Sequence, residues 1–226
     1  MKLVLTCEHA GNLIPREHQR LFSGAAEVLK SHRGYDPGAY DLYTFLRNIA
    51  NYHKEHHISR LLVEINRSLG NSQVFSEFTR ELSDSQKKDI LEAYYFPYRK
   101  EVESQIDEII SNGYSVLHLS IHSFTPSLNG EERNADIGLL YDPRRSEEKL
   151  FCKNLKERLL QEDKDLKIRY NYPYLGKADG FTTFLRKRFP KNYLGIEVEV
   201  NQKFAVKNKF PSHLKMTFLK AISEIL

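Results

Sequence analysis

Short apolar runs that break off at charged or coordinating side chains recur along this chain, with stretches of helical periodicity between them. Leu3-Val4-Leu5-Thr6 stops at Cys7-Glu8-His9, and "YSVLHLSIHSF" carries His118 and ends in His122-Ser123-Phe124. "SRLLVEINRS" reads as a strand that turns polar at Asn66-Arg67, "ADIGLLYDP" as one closed by Asp142-Pro143, and "LKIRYN" as a short one. In "LGIEVEVNQ", Ile196, Val198 and Val200 alternate with Glu197 and Glu199. Leu42, Phe45, Leu46 and Ile49 lie at helical spacing; Leu150, Phe151, Leu155, Leu159 and Leu160 form a second stripe, with Ser146, Glu147 and Glu148 suited to its start. A long helix is predicted over "KKDILEAYYFPYRKEVESQIDEIISNG", kinked or divided by Pro97 and stopped at Gly113, and "PSHLKMTFLKAISEIL" forms the last one. Strands alternating with helices restrict the chain to an α/β layered fold with a mainly parallel sheet. Ligands of such sheets bind beyond the carboxyl ends of the strands, so the polar strand ends are where chemistry is expected.

The 226 residues suit one domain, 1–226, with no repeat or linker. No run of about 18 apolar residues occurs, so no membrane span is expected. The N-terminal apolar run is too short for a signal peptide and is cut by Cys7-Glu8-His9, which points to the cytoplasm. Cys7 and Cys152 are too few for a disulfide framework, and reduced thiols are expected. The net charge is +4, with basic residues dispersed among acids rather than in a stripe with aromatics, so no nucleic-acid partner is expected.

Two histidines and a carboxylate are a common catalytic zinc set that leaves a position open for water. His9, Asp36 and His122 are the candidate ligands, and Glu199 is the candidate proton shuttle. Each has a plainer alternative. His9 could be a hydrogen-bonded histidine past a strand, and Asp36 before Pro37-Gly38 a turn residue. Glu197 and Glu199 could be the solvent face of a half-buried strand, and Asn66-Arg67 an ion-pairing turn. The cluster His53, His56, His57 in "NYHKEHHISR" reads as a solvated polar turn at a helix end rather than a metal tract. A Cys7–His9 nucleophile pair ranks below the metal reading, and no HExxH, GxSxG or glycine-rich phosphate loop is present.

The stretches "CEHAGNLIP", "HRGYDPGA", "RLLVEINRS", "YYFPYRKEV", "SIHSFTP", "ADIGLLYDP", "NYPYLGKADGFTTFLR" and "GIEVEVNQ" run in order from Cys7 to Gln202. Together they resemble the N-formylglutamate amidohydrolase family. The resemblance implies a three-layer α/β/α sandwich around a mixed, mainly parallel sheet, similar to the zinc carboxypeptidases. It also implies one zinc ion per chain and hydrolysis of an amide by metal-activated water. It places His9, Asp36 and His122 as ligands and Glu199 as general acid/base, with Glu197 the alternative. Asn66 and Arg67 match a pair that binds a substrate carboxylate, and Arg60 an oxyanion stabiliser. Arg133, Asn171 and Tyr174 are further substrate-binding candidates. Glu8-His9-Ala10-Gly11 stands where characterised members have a Pro-His-Ser-Gly type motif, which leaves Glu8 open between ligand, partner of a ligand and bystander. Asn201-Gln202 and Pro37-Gly38 also depart from the family pattern and leave the substrate open.

The expected function is therefore a zinc-dependent amidohydrolase that removes an N-acyl, in particular N-formyl, group from a small carboxylate-bearing substrate such as N-formylglutamate. The alternatives are a small zinc peptidase or cell-wall amidase, and a metal-free binding protein on a degenerate hydrolase scaffold.

Overall fold

In the computed structural model, which describes residues 1–226, the strands are β1 (Lys2–Cys7), β2 (Tyr52–Glu55), β3 (Val116–Phe124), β4 (Ser127–Leu128), β5 (Glu131–Glu132), β6 (Ile137–Leu140), β7 (Ile168–Tyr170) and β8 (Tyr193–Asn201). The helices are α1 (Ala26–Lys30), α2 (Ala39–Leu46), α3 (Asp84–Ile90), α4 (Phe96–Ser111), α5 (Ser146–Glu162), α6 (Phe181–Arg188) and α7 (Ser212–Ser223). Six strands form one sheet in the order β2-β1-β3-β8-β6-β7, and β4 pairs with β5 in a separate hairpin. β2, β1, β3 and β8 are mutually parallel; β6 runs antiparallel to β8 and parallel to β7.

Alternation along the strands sorts side chains onto two faces. Leu3, Leu5 and Cys7 of β1 share a core with Leu117, Leu119 and Ile121 of β3, Ile196, Val198 and Val200 of β8, and helices α2, α5 and α7. Val4, Val116 and Tyr193 point the other way, into a core built with α4, α6 and the buried Leu61, Leu62, Val63 and Ile65. The result is a three-layer α/β/α sandwich. On the second face the positions nearer the carboxyl ends are polar: Thr6, His118, Ser120, His122, Glu197 and Glu199.

Two segments depart from expectation. "SRLLVEINRS" is not a strand: Leu62 N–H donates to Ser59 O and Arg67 N–H to Glu64 O, which makes successive turns. The sheet edge beside β1 is taken instead by Tyr52–Glu55, out of the stretch expected to be a solvated turn. The apolar run at 61–65 reflects burial in the second core rather than ladder pairing. The long helix is divided, as Pro97 requires: α3 and α4 are joined by a π-helical turn over Leu91–Tyr95, with the proline in the first turn of α4. Ser146 makes no side-chain cap on α5. In the first turn, Glu148 is fully buried and pairs with Arg186 of α6, whose guanidinium also donates to Gly176 O and Gly195 O. That pair pins the 171–180 loop to the sheet.

His118 lies deep in β3 rather than at its end. Its Nε2 is 2.7 Å from Thr6 Oγ1 and its Nδ1 2.7 Å from Tyr193 Oη. Burial pushes its pKa down to about 4. The folded state therefore keeps this ring neutral while the unfolded chain takes up a proton near pH 6.5. Its contribution is intact above that pH and is lost as pH falls to about 4, on the order of 3 kcal/mol. Urea unfolding at pH 7 and pH 4.5 should show a smaller acid-side loss for His118→Gln than for wild type.

Candidate active site

His9 lies two residues past β1. Pairing with the 56–59 stretch continues beyond both strands and holds it there: His56 N–H donates to Cys7 O, Ala10 N–H to His56 O and Leu13 N–H to His57 O. Asp36 is brought alongside by its own N–H, which donates to His9 O at 3.0 Å. Gly38 then turns the chain into α2 with φ +86°, where a Cβ would come within 2.6 Å of the Phe210 ring. Only glycine meets both demands. His122 sits near the end of β3, in register with Glu199 of β8.

These placements bring three donor atoms together. His9 Nδ1 is 3.2 Å from Asp36 Oδ2 and 3.2 Å from His122 Nδ1, and His122 Nδ1 is 2.8 Å from Asp36 Oδ2. A tetrahedral ion with bonds near 2.0–2.2 Å separates its ligand atoms by roughly 3.3–3.5 Å, so a triangle of this size and N/N/O composition fits a zinc-type centre. All three residues are buried.

Each imidazole turns its other nitrogen to a buried carboxylate. His9 Nε2 is 2.6 Å from Glu64 Oε1. His122 Nε2 is 3.3 Å from Glu8 Oε2 and 2.9 Å from Ser120 Oγ, which itself donates to Glu8 at 2.5 Å. Tyr98 also donates to Glu8 at 3.2 Å. Glu8 thus stands behind His122 and outside the donor triangle. Glu64 was absent from the sequence-derived candidates; the signals for it are its place in "EINR" and its i,i+4 spacing from Arg60.

Burial favours the neutral form of every one of these groups, and pairing overrides it for most. Burial raises Asp36, but Arg60, His9 and His122 hold it well below the usual carboxylate range. Burial likewise works against Glu8 and Glu64, which hydrogen bonding and charge from His122 and from His9 with Arg60 keep far below it. Burial disfavours the charged form of His122, yet Asp36 and Glu8 raise its pKa well above the ordinary value. Glu199 is the exception. Burial, with Asp36 and Glu197 nearby, pushes it up to about 8, and its Oε2 is buried without a hydrogen-bond partner.

Asp36, His122, Glu199 and Glu197 line a cleft of about 990 Å³, together with Arg60, Asn66, Arg67 and Tyr174. Arg60 donates to Asp36 Oδ1 at 3.0 Å and to Glu64 Oε2 at 2.9 Å, and one of its nitrogens stands 2.7 Å from His9 Nδ1. Asn66 Oδ1 accepts from Phe181 N–H at 2.8 Å, which commits its oxygen and leaves its amide N–H groups for the cleft. Arg67 donates to Asp179 O, and Asp179 in turn holds Ser68 and Asn71. Glu197 accepts from Thr182 at 2.7 Å. Arg133 is not among the lining residues but lies against Tyr174, 5.1 Å from its ring centroid. Asn171 is not among the lining residues, and its Oδ1 accepts from Tyr141 N–H and Gly176 N–H. His53 and His56 stay outside the donor triangle; His53 contacts Tyr43, and His56 is kept neutral by burial, its pKa down to about 4. Cys7 and Cys152 are buried free thiols, both raised by burial, so no activated cysteine is present.

No match is found among curated proteins. A solved structure from Agrobacterium tumefaciens superimposes with a TM-score of 0.79 at 27% identity, over 99% of this chain and 91% of that one. The N-formylglutamate amidohydrolase of Ralstonia eutropha superimposes with a TM-score of 0.74 at 16% identity, over 100% of this chain and 93% of that one. A metallo-carboxypeptidase of Burkholderia cenocepacia, with a TM-score of 0.39 and 12% identity over 99% of this chain and 56% of that one, is too remote to carry an argument. The description of the N-formylglutamate amidohydrolase family matches residues 1–206. With that match across nearly its whole length, the chain belongs to the N-formylglutamate amidohydrolase family.

Proposed function

We propose that this protein is a zinc-dependent hydrolase that removes an N-acyl, in the first instance N-formyl, group from a small amide bearing a carboxylate, such as N-formylglutamate. The observation that carries this reading is the buried triangle of His9 Nδ1, Asp36 Oδ2 and His122 Nδ1, of which Asp36 and His122 line a cleft that also holds the unpartnered carboxylate of Glu199. His9, Asp36 and His122 would hold one ion. When bound, it supplies a Lewis acid for the scissile carbonyl and a water acidified toward neutral pH.

The remaining work falls to the chain's own groups. Glu199 takes the proton of the attacking water and delivers it to the departing amine. Its raised pKa suits a group that must both accept and donate near neutrality. Arg60 lies beside the donor triangle and balances negative charge that develops on the carbonyl oxygen. The substrate carboxylate goes to Arg67, whose planar guanidinium offers two parallel donors, assisted by the amide of Asn66. Arg133 acts at the rim through Tyr174.

The cleft is at the large end of the usual ligand-pocket range of about 300–1,000 Å³, more than one formyl amino acid fills. That volume favours, as a second reading, an N-acyl peptide or a longer acyl group at the same centre. Hydrolysis of a panel of N-formyl and N-acetyl amino acids and short peptides separates the two, and a panel left wholly intact by zinc-loaded protein would sink both.

Metal content and turnover separate the roles. His122→Ala should lose the ion. Glu199→Gln should keep it and lose about 10²–10⁴-fold in kcat. Normal turnover by Glu199→Gln would transfer the base role to Glu197. Arg67→Ala should raise KM roughly 10–100-fold for a carboxylate-bearing substrate with little change in kcat, because it removes binding common to ground and transition states. The matching carboxamide should show no such rise.

A further inference from the structure

The two carboxylates behind the imidazoles have no part in the chemistry above, yet both are buried at an energetic cost. Glu8 is 1% and Glu64 8% exposed. A carboxylate in such surroundings is costly unless its hydrogen bonds make up the loss. Apolar residues would serve a merely structural purpose with less penalty. Their placement is also matched. Glu64 meets His9, and Glu8 meets His122, in each case on the Nε2 edge, opposite the Nδ1 atoms that approach within 3.2 Å of each other.

Glu64 has further partners. Its Oε1 also accepts from Asn66 N–H at 2.9 Å, while Oε2 accepts from Arg60 Nε at 2.9 Å. One side chain thus touches the candidate ligand His9, the candidate oxyanion partner Arg60 and the backbone of the candidate substrate residue Asn66. Glu8 is held more rigidly than it is shared: Ser120 and Tyr98 both donate to it, and Ser120 Oγ also bridges to His122 Nε2 at 2.9 Å.

We propose that Glu64 and Glu8 are positioning residues: Glu64 accepts from the Nε2–H of His9, and Glu8 takes the Ser120 hydroxyl proton and so turns the Ser120 oxygen toward the Nε2–H of His122, which leaves the Nδ1 lone pairs of His9 and His122 aimed at one point, while Glu64 through its second oxygen sets Arg60 beside that point. The inference rests on the zinc reading above. An imidazole can offer a metal only the nitrogen that carries no proton, so an acceptor on one edge selects the other edge as ligand. The geometry requires an acceptor on the far edge, not merely a negative charge nearby.

The test is zinc affinity, measured by competition with a chelator on full-length protein freed of metal. Glu64→Leu should bind zinc about 10–100-fold more weakly than wild type, and Glu8→Leu likewise. Glu64→Gln, whose amide oxygen still accepts from His9, should recover most of that loss. It should nonetheless lower kcat, since its amide nitrogen repels Arg60 when its oxygen faces His9. Long-range proton–nitrogen spectra of zinc-loaded wild type add a readout that needs no variant to fold: both rings should be protonated on Nε2 with shifted Nδ1 resonances. Affinity within about twofold of wild type for Glu64→Leu and Glu8→Leu would overturn the proposal, as would Glu64→Gln as weak as Glu64→Leu, or a ring metallated on Nε2. Wild-type protein that takes up no zinc overturns the zinc reading itself, and this inference with it.

Discussion

Thr6 stands opposite Ser120 and His122 opposite Glu199, and this parallel register is what the site hangs on. It brings the ends of β1, β3 and β8 level, so that residues far apart in the chain open onto one cleft. A slip of one residue would turn the even-numbered side chains of β3 into the wholly apolar core beneath α2, α5 and α7. His122 and Ser120 would then be buried among leucines. The apolar face therefore protects the polar one: Leu117, Leu119 and Ile121 can be buried only in the register that presents His118, Ser120 and His122 to the other side.

Within that frame the site is a problem of burying charge. Glu8, Asp36, Glu64, His9 and His122 are all buried, and the partly exposed Arg60 reaches them from the cleft. Isolated, each would cost several kcal/mol; paired, each helps meet the others' desolvation. The pairing is nearly complete. Asp36 has Arg60 and both imidazoles, Glu64 has His9, Arg60 and Asn66, and Glu8 has Ser120, Tyr98 and the His122 ring. Glu199 is left over, with one oxygen unpartnered. A single unsatisfied group in an otherwise satisfied network marks where a water, an ion or a substrate atom would be accommodated.

Much of this was legible in the sequence because strands and helices have different periods. The alternation in "LGIEVEVNQ" placed Glu197 and Glu199 on one face, although it could not say that the face was covered rather than wet. Covering depends on α6 and the 171–180 loop, which reach the sheet through Arg186 and Glu148, residues that look like ordinary surface charges in sequence. The stretch "SRLLVEINRS" misled for a related reason. Its apolar residues are buried as a strand's would be, but they meet helices rather than a ladder. Conversely, "NYHKEHHIS" is polar because β2 is an edge strand, half-open to solvent on one side. Glu64 escaped notice because its role depends on an approach to His9 across 55 positions.

By itself, the sequence determined the layered α/β class, the division of the long helix at Pro97, and the set of strand ends at which chemistry could occur. These follow from local period and steric rules that act within a few residues. It also carried, through ordered motifs, the family to which the chain belongs. Only the tertiary structure decided which of those ends converge and which edge of each imidazole faces inward. It likewise assigned His118 to the fold and Glu8 to the rear of His122. Those outcomes rest on hydrogen bonds between segments distant in the chain, and their geometry is set by register and burial, which no local pattern encodes.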